Sequence, residues 1–113
     1  MRVTSIKNNY EFKRAYAKGK SAAAHNLVLY VRKNRLAENR LGVTVSQKVG
    51  CAVVRNRARR LIKEAYRLNA EKFTKGNDIV AVARGKTPHC KLAEIEKSLI
   101  FLGNRLGIVK DTP

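Results

Sequence analysis

The sequence is poor in acidic residues, in aromatic residues and in long apolar runs. Only 8 of its 113 residues are Asp or Glu, against 25 Lys and Arg, which leaves a formal net charge of +17. Such a charge repels itself in the folded state unless a polyanion is nearby. The hydrophobic share of 44% is enough for a core, so the chain is not a disordered basic tail. The expected partner is a nucleic acid or an anionic membrane surface.

The lack of long apolar runs argues against the membrane. The strictly apolar runs Leu27–Val31 and Ile79–Ala83 are among the longest, whereas a spanning helix needs roughly 20 such residues. Residues 1–20 are basic but contain no apolar core of a secretory signal. The two cysteines, Cys51 and Cys90, lack C-x-x-C spacing. We therefore expect a reduced, cytoplasmic protein that does not bind a membrane.

The residue clusters that carry catalysis are also missing from the sequence. The acidic residues are scattered, and no two have the spacing of a two-metal or general acid–base site. His89 and Cys90 are adjacent, but two ligands do not make a zinc site. There is no Walker loop and no nucleophile elbow. We expect no catalytic residue and no metal site in the protein itself.

Hydrophobic spacing predicts one α+β domain over residues 1–113, with a short flexible tail from about 108. The predicted helices are 8–18, 52–70 and 91–106. The predicted strands are 27–32, 40–46 and 78–84, and 20–25 is ambiguous. The last helix carries a core stripe, followed by Gly107 as a stop. The stripe consists of Leu92, Ile95, Leu99, Leu102 and Leu106.

The first helix combines terminal signals with two aromatic residues. Asn8 is the candidate N-cap, Glu11 resembles the second half of a capping box, and Gly19 is expected to end the helix in the left-handed conformation. Phe12 and Tyr16 lie one turn apart. They form either a core contact or a stacking platform for single-stranded bases.

The predicted strands offer an open polar surface. Leu27, Leu29 and Val31 point to one face of the first clear strand, and Tyr30 points to the other. In the next strand one face is small and polar. Such a face makes a poor core but can form the open floor of a binding surface, that is, a part of the sheet left accessible to a ligand. This face consists of Arg40, Gly42, Thr44 and Ser46. We expect Tyr30 on the open face because its strand already has an apolar side.

The run Arg55–Asn69 predicts a helix with two opposed faces. At about 100° per residue, the apolar set and the cationic set fall on opposite sides, with Arg55 and Arg57 on the flanks. The apolar set is Ala58, Leu61, Ile62, Ala65 and Leu68, and the other set is Asn56, Arg59, Arg60, Lys63 and Arg67. Solvated helix faces usually mix charge signs, but here the single acid is Glu64, which can pair with Arg60 or Arg67. Arginine forks suit phosphate oxygens, so this face predicts a polyanion partner.

Further basic residues on other elements favour a large or structured nucleic acid. They are Lys13, Arg14, Lys18, Lys20, Arg32 and Arg40. The run SQKVGCAVVRNRARRLIKEAYR, residues 46–67, closely resembles the signature of the bacterial ribonuclease P protein family. The first helix, the strand at 27–30 and the segment DIVAVAR resemble that family too, so the resemblance covers nearly the whole chain. Gln47, Cys51 and Lys63 depart from its usual residues.

The resemblance implies a fold and a function. The fold is an α-β sandwich in the order αβββαβα, similar to domain 2 of ribosomal protein S5, with a left-handed βαβ crossover, a handedness that is rare. The function is that of the protein subunit of a ribonucleoprotein endoribonuclease. A catalytic RNA, with Mg²⁺ held mainly by that RNA, removes the 5′ leader from precursor tRNA. The protein is expected to be a monomer bound one-to-one to the RNA.

The resemblance also implies two sets of binding residues. The residues expected to bind the RNA subunit are Lys48, Arg55, Asn56, Arg57, Arg59, Arg60, Lys63 and Arg67. The residues expected to line a cleft for the 5′ leader are Phe12, Tyr16, Tyr30 and Arg32. Two alternatives remain: a small ribosomal or general RNA-binding protein without a role in cleavage, and a DNA-architectural protein.

Overall fold

Three helices and four strands follow one another in the predicted order αβββαβα. The computed structural model of the chain describes residues 4–110. The helices are α1 (Asn9–Lys18), α2 (Ala52–Asn69) and α3 (Leu92–Arg105). The strands are β1 (Lys20–Ala24), β2 (Leu27–Lys33), β3 (Arg40–Thr44) and β4 (Asn77–Ala83). The predicted α+β class is confirmed, and the ambiguous segment 20–25 contains a strand.

The four strands form one mixed sheet in the order β1-β2-β4-β3. β1 pairs with β2 and β2 with β4 in antiparallel fashion, while β3 and β4 are parallel. Parallel neighbours need a crossover connection, and α2 is that connection. Its predicted left-handed sense stays a prediction. The crossover places the whole cationic run of the sequence on one helix over one face of the sheet.

The two faces of the sheet are covered unequally. Leu27, Leu29 and Val31 of β2 are buried in the main core, which also contains the buried residues of α2 and α3. The opposite face receives α1, and the hydrophobic cluster that is buried there among residues 4–110 is small, formed by Ile6, Ala15 and Val80. The predicted alternation of β2 is confirmed, since its buried residues alternate with half-buried ones. The thin cover by α1 leaves part of the second face accessible.

The start and end of α1 differ from the sequence predictions. Gly19 has φ −81° and ψ 168°, so the expected left-handed conformation is wrong. A Cβ at Gly19 would lie 2.5 Å from the Ala15 carbonyl oxygen and 2.6 Å from that of Val31, so the tight passage into β1 requires glycine. The side chain of Asn8 makes no capping bond and instead donates to the Glu11 carboxylate at 3.1 Å. The capping box is therefore replaced by a bond between the two side chains.

The C-terminal segment packs onto the domain further than expected. Gly107 has φ 74° and follows α3 as predicted. Ile108 is 5% exposed, and its carbonyl accepts a hydrogen bond from the Thr74 amide at 2.7 Å. The Lys110 amide donates to the Lys72 carbonyl at 2.7 Å. Residues 108 and 110 are thus hydrogen-bonded to the domain, whereas the flexibility predicted from about 108 stays a prediction and 111–113 lie outside the described residues.

Candidate nucleic-acid interface

The helix α2 has the predicted buried and cationic faces, with its buried stripe turned slightly. Ala58, Ile62 and Ala65 are fully buried, and Leu61 is partly buried. Leu68, however, is 49% exposed, so its placement in the core is wrong. The buried stripe runs instead through two residues with polar ends. Those residues are Tyr66 and Asn69.

Specific contacts explain this turn of α2. The Tyr66 ring packs on Phe73 with ring centroids 5.5 Å apart. The Asn69 side-chain amide donates to the Ala65 carbonyl at 2.7 Å and to the Glu96 carboxylate at 2.9 Å. The Tyr66 ring gains apolar contact, and the hydrogen bonds of the buried Asn69 amide offset its loss of water. The buried stripe of α2 is therefore centred closer to Tyr66 and Asn69, and Leu68 lies at the solvent-exposed edge of that stripe.

The cationic face of α2 is the surface opposite that stripe. Asn56, Arg57, Arg60, Lys63 and Arg67 are exposed, and Arg55 and Arg59 are partly covered. The first turn of α2 contains no acidic residue. Cations near a helix N-terminus meet the positive end of the helix dipole, which disfavours them in the absence of an anion. This end of α2 therefore favours a bound anion such as a phosphate.

Few of these cations are neutralised inside the protein. Arg67 forms a two-point salt bridge with Glu64, which holds the pKa of the Glu64 carboxyl below its ordinary value. Arg59 donates to the Asn56 side-chain oxygen at 3.1 Å, which orients both groups without changing the charge. Within residues 4–110, Arg57, Arg60 and Lys63 form no salt bridge. Of the two possible pairings of Glu64, the structure has the one with Arg67.

Lys48 lies at the margin of this face. It belongs to the short 3-10 turn Gln47–Val49 between β3 and α2, and its side chain is exposed. Gly50 then has φ 154°, and a Cβ there would approach Val54 Cγ1 at 2.9 Å. Glycine at 50 thus allows the turn that brings Lys48 beside the start of α2. The eight residues predicted for the RNA subunit lie on this turn and on one helix.

The predicted leader cleft is a partly filled surface between α1 and the sheet. The Tyr16 hydroxyl and the Thr44 hydroxyl are hydrogen-bonded at 2.7 Å. The Tyr16 and Tyr30 rings meet edge to face with centroids 4.8 Å apart. Tyr16 is 39% exposed and Tyr30 is half-buried, so part of each side chain is accessible to solvent. Thr44, expected only as part of the floor, orients one of them.

Phe12 serves mainly as packing in this surface. A Cβ on Gly42 would lie 2.5 Å from Phe12 Cε1, so the ring rests directly on the backbone of β3. Gly42 is buried as a result, and Phe12 joins the cluster of Ile6, Ala15 and Val80. The expectation of an open floor is wrong at Gly42. Of the two possible roles of Phe12, the structure favours the core contact.

Arg40 is the basic residue of this surface that the fold uses internally. It donates to both carboxylate oxygens of Asp78, at 2.8 and 2.7 Å, and forms a salt bridge with Glu11 of α1. Burial raises the pKa of the Asp78 carboxyl, but hydrogen bonds from Arg40 and Asn34 outweigh it and hold that pKa below its ordinary value. The same hydrogen bond raises the pKa of Arg40 above its ordinary value. The expectation that Arg40 serves as a cation for nucleic acid is wrong, because two carboxylates neutralise it.

The remaining predicted cleft residue, Arg32, lies two positions beyond Tyr30 on the same face of β2. Its register partner on β4 is Asp78, whose carboxylate is already engaged by Arg40. Arg32 is partly buried and forms no salt bridge within residues 4–110. It places a cation beside the Tyr16–Tyr30 pair on the same face of the sheet.

Neither a membrane-spanning helix nor a metal-ligating cluster occurs in residues 4–110. None of the helices there is long and apolar enough to cross a membrane. No group of three or more His, Cys, Asp or Glu side chains in this part of the chain could hold a metal ion.

Together, the fold and the charge distribution define a small, strongly basic α+β protein that presents a cationic helix and an aromatic-lined sheet face. The family model described as Ribonuclease P matches residues 1–107. The chain belongs to the ribonuclease P protein family. Members of this family are protein components of ribonuclease P, a ribonucleoprotein of tRNA processing, and this membership implies a partnership with ribonuclease P RNA.

Known relatives match over almost the whole chain. The ribonuclease P protein component of Clostridium botulinum is 49% identical over 109 residues, which are 96% of this chain and 98% of that protein. The component of Clostridium acetobutylicum is 46% identical over 111 residues, 96% and 93% of the two chains. The structure of the Staphylococcus aureus RNase P protein superimposes with a TM-score of 0.84 at 31% identity and covers 96% of this chain and 100% of that one. The Thermotoga maritima protein gives 0.80 at 28% identity, covering 95% and 98%.

Proposed function

We propose that this protein binds the catalytic RNA of ribonuclease P through the cationic face of α2 and holds the 5′ leader of precursor tRNA against the Tyr16–Tyr30 surface. It thereby assists endonucleolytic removal of the leader, which gives mature tRNA 5′ ends. The observation that carries the proposal is the set of exposed cations on α2 without carboxylate partners in residues 4–110: Arg57, Arg60 and Lys63.

Electrostatics supports the assignment of α2 to the structured RNA. The exposed cations follow one face of α2 from Arg57 to Arg67, a rise of about 15 Å at 1.5 Å per residue. That length spans several phosphates of a folded RNA. Arginine dominates, which suits bidentate contacts with phosphate oxygens. Neutralising those phosphates would relieve the self-repulsion of a chain with charge +17.

The second surface has the chemistry of a single-strand site. Two tyrosines with partly accessible side chains lie beside a cation, Arg32, and base–aromatic stacking tolerates any sequence. Leaders differ in sequence between tRNAs, so a sequence-tolerant surface suits them. The surface lies on the face of the sheet opposite the main core. The leader and the RNA subunit would therefore contact different faces of the protein.

We assign the chemical step to the RNA and not to side chains of this protein. Because residues 4–110 contain no cluster of three metal-ligating side chains, we assign the Mg²⁺ that the reaction needs mainly to the RNA. The basic side chains would lower the concentration of Mg²⁺ needed to hold RNA and substrate together, since they replace part of its counter-charge. One protein bound to one RNA is sufficient for these roles.

The direct test is cleavage of a precursor tRNA by ribonuclease P RNA at low Mg²⁺, with and without this protein. We expect strong rescue that shrinks as the leader is truncated. Rescue independent of leader length would contradict the leader surface while keeping the subunit role. Absence of rescue with a folded protein, together with tight binding to ribosomal RNA fragments, would favour a general RNA-binding protein. A preference for duplex DNA would favour the architectural alternative.

A second experiment tests α2. Replacing Arg57 and Arg60 together by Ala should weaken binding to the RNA subunit and reduce the slope of log K against log salt, by up to about 0.9 for each duplex phosphate that is no longer neutralised. The matched control removes two exposed lysines elsewhere, Lys72 and Lys97, and so changes the net charge equally. An unchanged slope in the α2 variant, or an equal change in the control, would refute the assignment.

A further inference from the structure

The sheet has two chemically different ends. At one end Thr44 is paired with Val82, and the chain continues from β3 through Lys48 into α2. We call this the α2 end. At the other end Lys33 is paired with Asn77, and Arg40 with Asp78. We call this the far end. The seven residues of β2 separate the two ends by about 23 Å at 3.3 Å per residue.

A basic groove of about 660 Å³ lies at the far end. Five of its twelve lining residues are cations, and none is an acid. The cations are Lys18, Lys20, Arg32, Lys33 and Lys75. Within residues 4–110 none of the five forms a salt bridge. Like charges brought together without acids repel one another, which favours an anionic occupant.

The groove continues from the Tyr16–Tyr30 surface to the other side of the sheet. Arg32 lies on the α1 face with Tyr30, because alternate residues of a strand share a face. Lys33 lies on the opposite face, and so does Lys20, whose register partner is the core residue Val31. The groove is closed on that side by residues 106–108, which follow α3. The cations therefore lead around the end of the sheet from one face to the other.

The nearest acid of the sheet does not neutralise the groove. Asp78 is the register partner of Arg32, but its carboxylate accepts hydrogen bonds from Arg40 and Asn34. Arg32 contributes only a weaker charge interaction with it. The lysines at 20, 33 and 75 are exposed and form no side-chain hydrogen bond within residues 4–110. Their charges are available to a ligand.

We propose that this groove binds backbone phosphates of the leader nucleotides that lie farthest from the tRNA. The inference rests on the proposed function, and it takes the tRNA-proximal end of the leader to lie at the α2 end, where α2 begins. A strand that crosses Tyr16 and Tyr30 from there reaches Arg32 next, and the groove beyond it. Flexible lysines neutralise phosphates without selecting a base, so this contact depends on leader length and not on leader sequence.

The test measures binding of precursor tRNAs with progressively longer leaders to the holoenzyme reconstituted from ribonuclease P RNA and the protein. The groove variant carries Lys20→Gln, Lys33→Gln and Lys75→Gln, which keep most of the side-chain stem and remove the charge. The control variant carries Lys72→Gln, Lys86→Gln and Lys97→Gln at exposed positions outside the groove. Both lose the same net charge, and affinity for the RNA subunit confirms that each is folded.

With short leaders the groove variant should bind like the wild type. With long leaders it should bind roughly tenfold to hundredfold more weakly at about 0.1 M salt, with a salt slope smaller by up to about 0.7 for each single-strand phosphate that the variant leaves unneutralised. Neutral methylphosphonate linkages in the distal leader should lower wild-type affinity to that of the variant and leave the variant unchanged. The control variant should show no such dependence on leader length.

Three results would overturn the inference. They are equal binding of wild type and groove variant at every leader length, an equal loss in the control variant, and a difference that persists with neutral linkages. Failure of the proposed function has another signature: the wild-type holoenzyme would bind precursors of all leader lengths equally. The two failures are therefore distinguishable in one data set.

Discussion

Two arginine–carboxylate pairs of similar chemistry should differ sharply in their effect on stability. Arg40 pairs with Asp78, and the two side chains are 21% and 3% exposed. Arg67 pairs with Glu64, and those side chains are 46% and 43% exposed. Replacing either arginine by Met removes one positive charge and keeps an apolar stem. Each substitution therefore reduces the repulsion among the positive charges of the protein to the same extent, and the two variants differ only in the environment of the lost arginine.

The expected loss follows from what is left behind in each case. Removal of a partner from a buried pair strands a buried charge, which costs about 3–5 kcal/mol. Arg40→Met strands Asp78 and also the Glu11 carboxylate of α1. Since Arg40 itself keeps a fifth of its exposure, we expect about 3 kcal/mol from the lower end of that range. Arg67→Met leaves a solvated Glu64, and its unfolding curve should match that of the wild type.

Urea unfolding at pH 7 in a fixed concentration of phosphate measures both variants. A slope of about 1–3 kcal/mol per molar urea converts 3 kcal/mol into a midpoint shift of about 1–3 M. Such a shift is a large part of the roughly 5–15 kcal/mol that stabilises a domain. Equal midpoints for the two variants would refute the reasoning, because they would show that burial of Asp78 does not govern the energy of its pair.

The remaining predictions concern acid stability, packing and the leader surface. Because the pKa of Asp78 is lowered in the folded state, its charge contributes to the free energy of unfolding. That contribution is complete above its ordinary pKa of about 3.9 and is lost as the pH falls through the lower folded value. Asp78→Asn should therefore make the free energy of unfolding depend less on pH in this acidic range, which unfolding measured against pH will show. Gly42→Ala should destabilise the fold by about 1–3 kcal/mol through its clash with Phe12, and Phe12→Leu should restore part of the loss in thermal unfolding of the double variant. Tyr30→Ala should weaken binding of a leader-bearing precursor by about 1–3 kcal/mol while sparing affinity for the RNA subunit. An equal loss of both affinities would make Tyr30 a folding residue.

Local patterns predict the helices and strands well and their last residues less well. The 3.6-residue spacing in 52–70 and the alternation in 27–32 are properties of short segments, so α2 and β2 were predictable. The position of Gly19 after a helix predicts a left-handed conformation, which the structure does not have. Glycine is required instead by the approach of two carbonyls, that of Ala15 in α1 and that of Val31 in β2. The contact with Val31 has no counterpart in the sequence around residue 19.

In the candidate site, too, local sequence patterns predict some features and miss those that depend on contacts between distant residues. The cationic residues of α2 lie on one helix, so a helical wheel is enough to bring them together. Arg40 looks equally basic in the sequence, but it is neutralised by Asp78, 38 residues away, and by Glu11 of α1. The groove cations Lys20, Lys33 and Lys75 belong to three separate segments. Only strand pairing brings them to one place.

By itself, the sequence determined the sign and size of the charge, the two-faced character of α2 and the family of the protein. These depend on composition, on helical periodicity and on a contiguous motif, all of which are local. The tertiary structure alone decided which cations remain available to a ligand and which surfaces stay open. Phe12 covers Gly42, and the carboxylates of Asp78 and Glu11 neutralise Arg40. Both contacts form because the sheet register and the packing of α1 on the sheet bring distant residues together. Electrostatic partners are set by distance in space, and distance in space is a property of the whole fold.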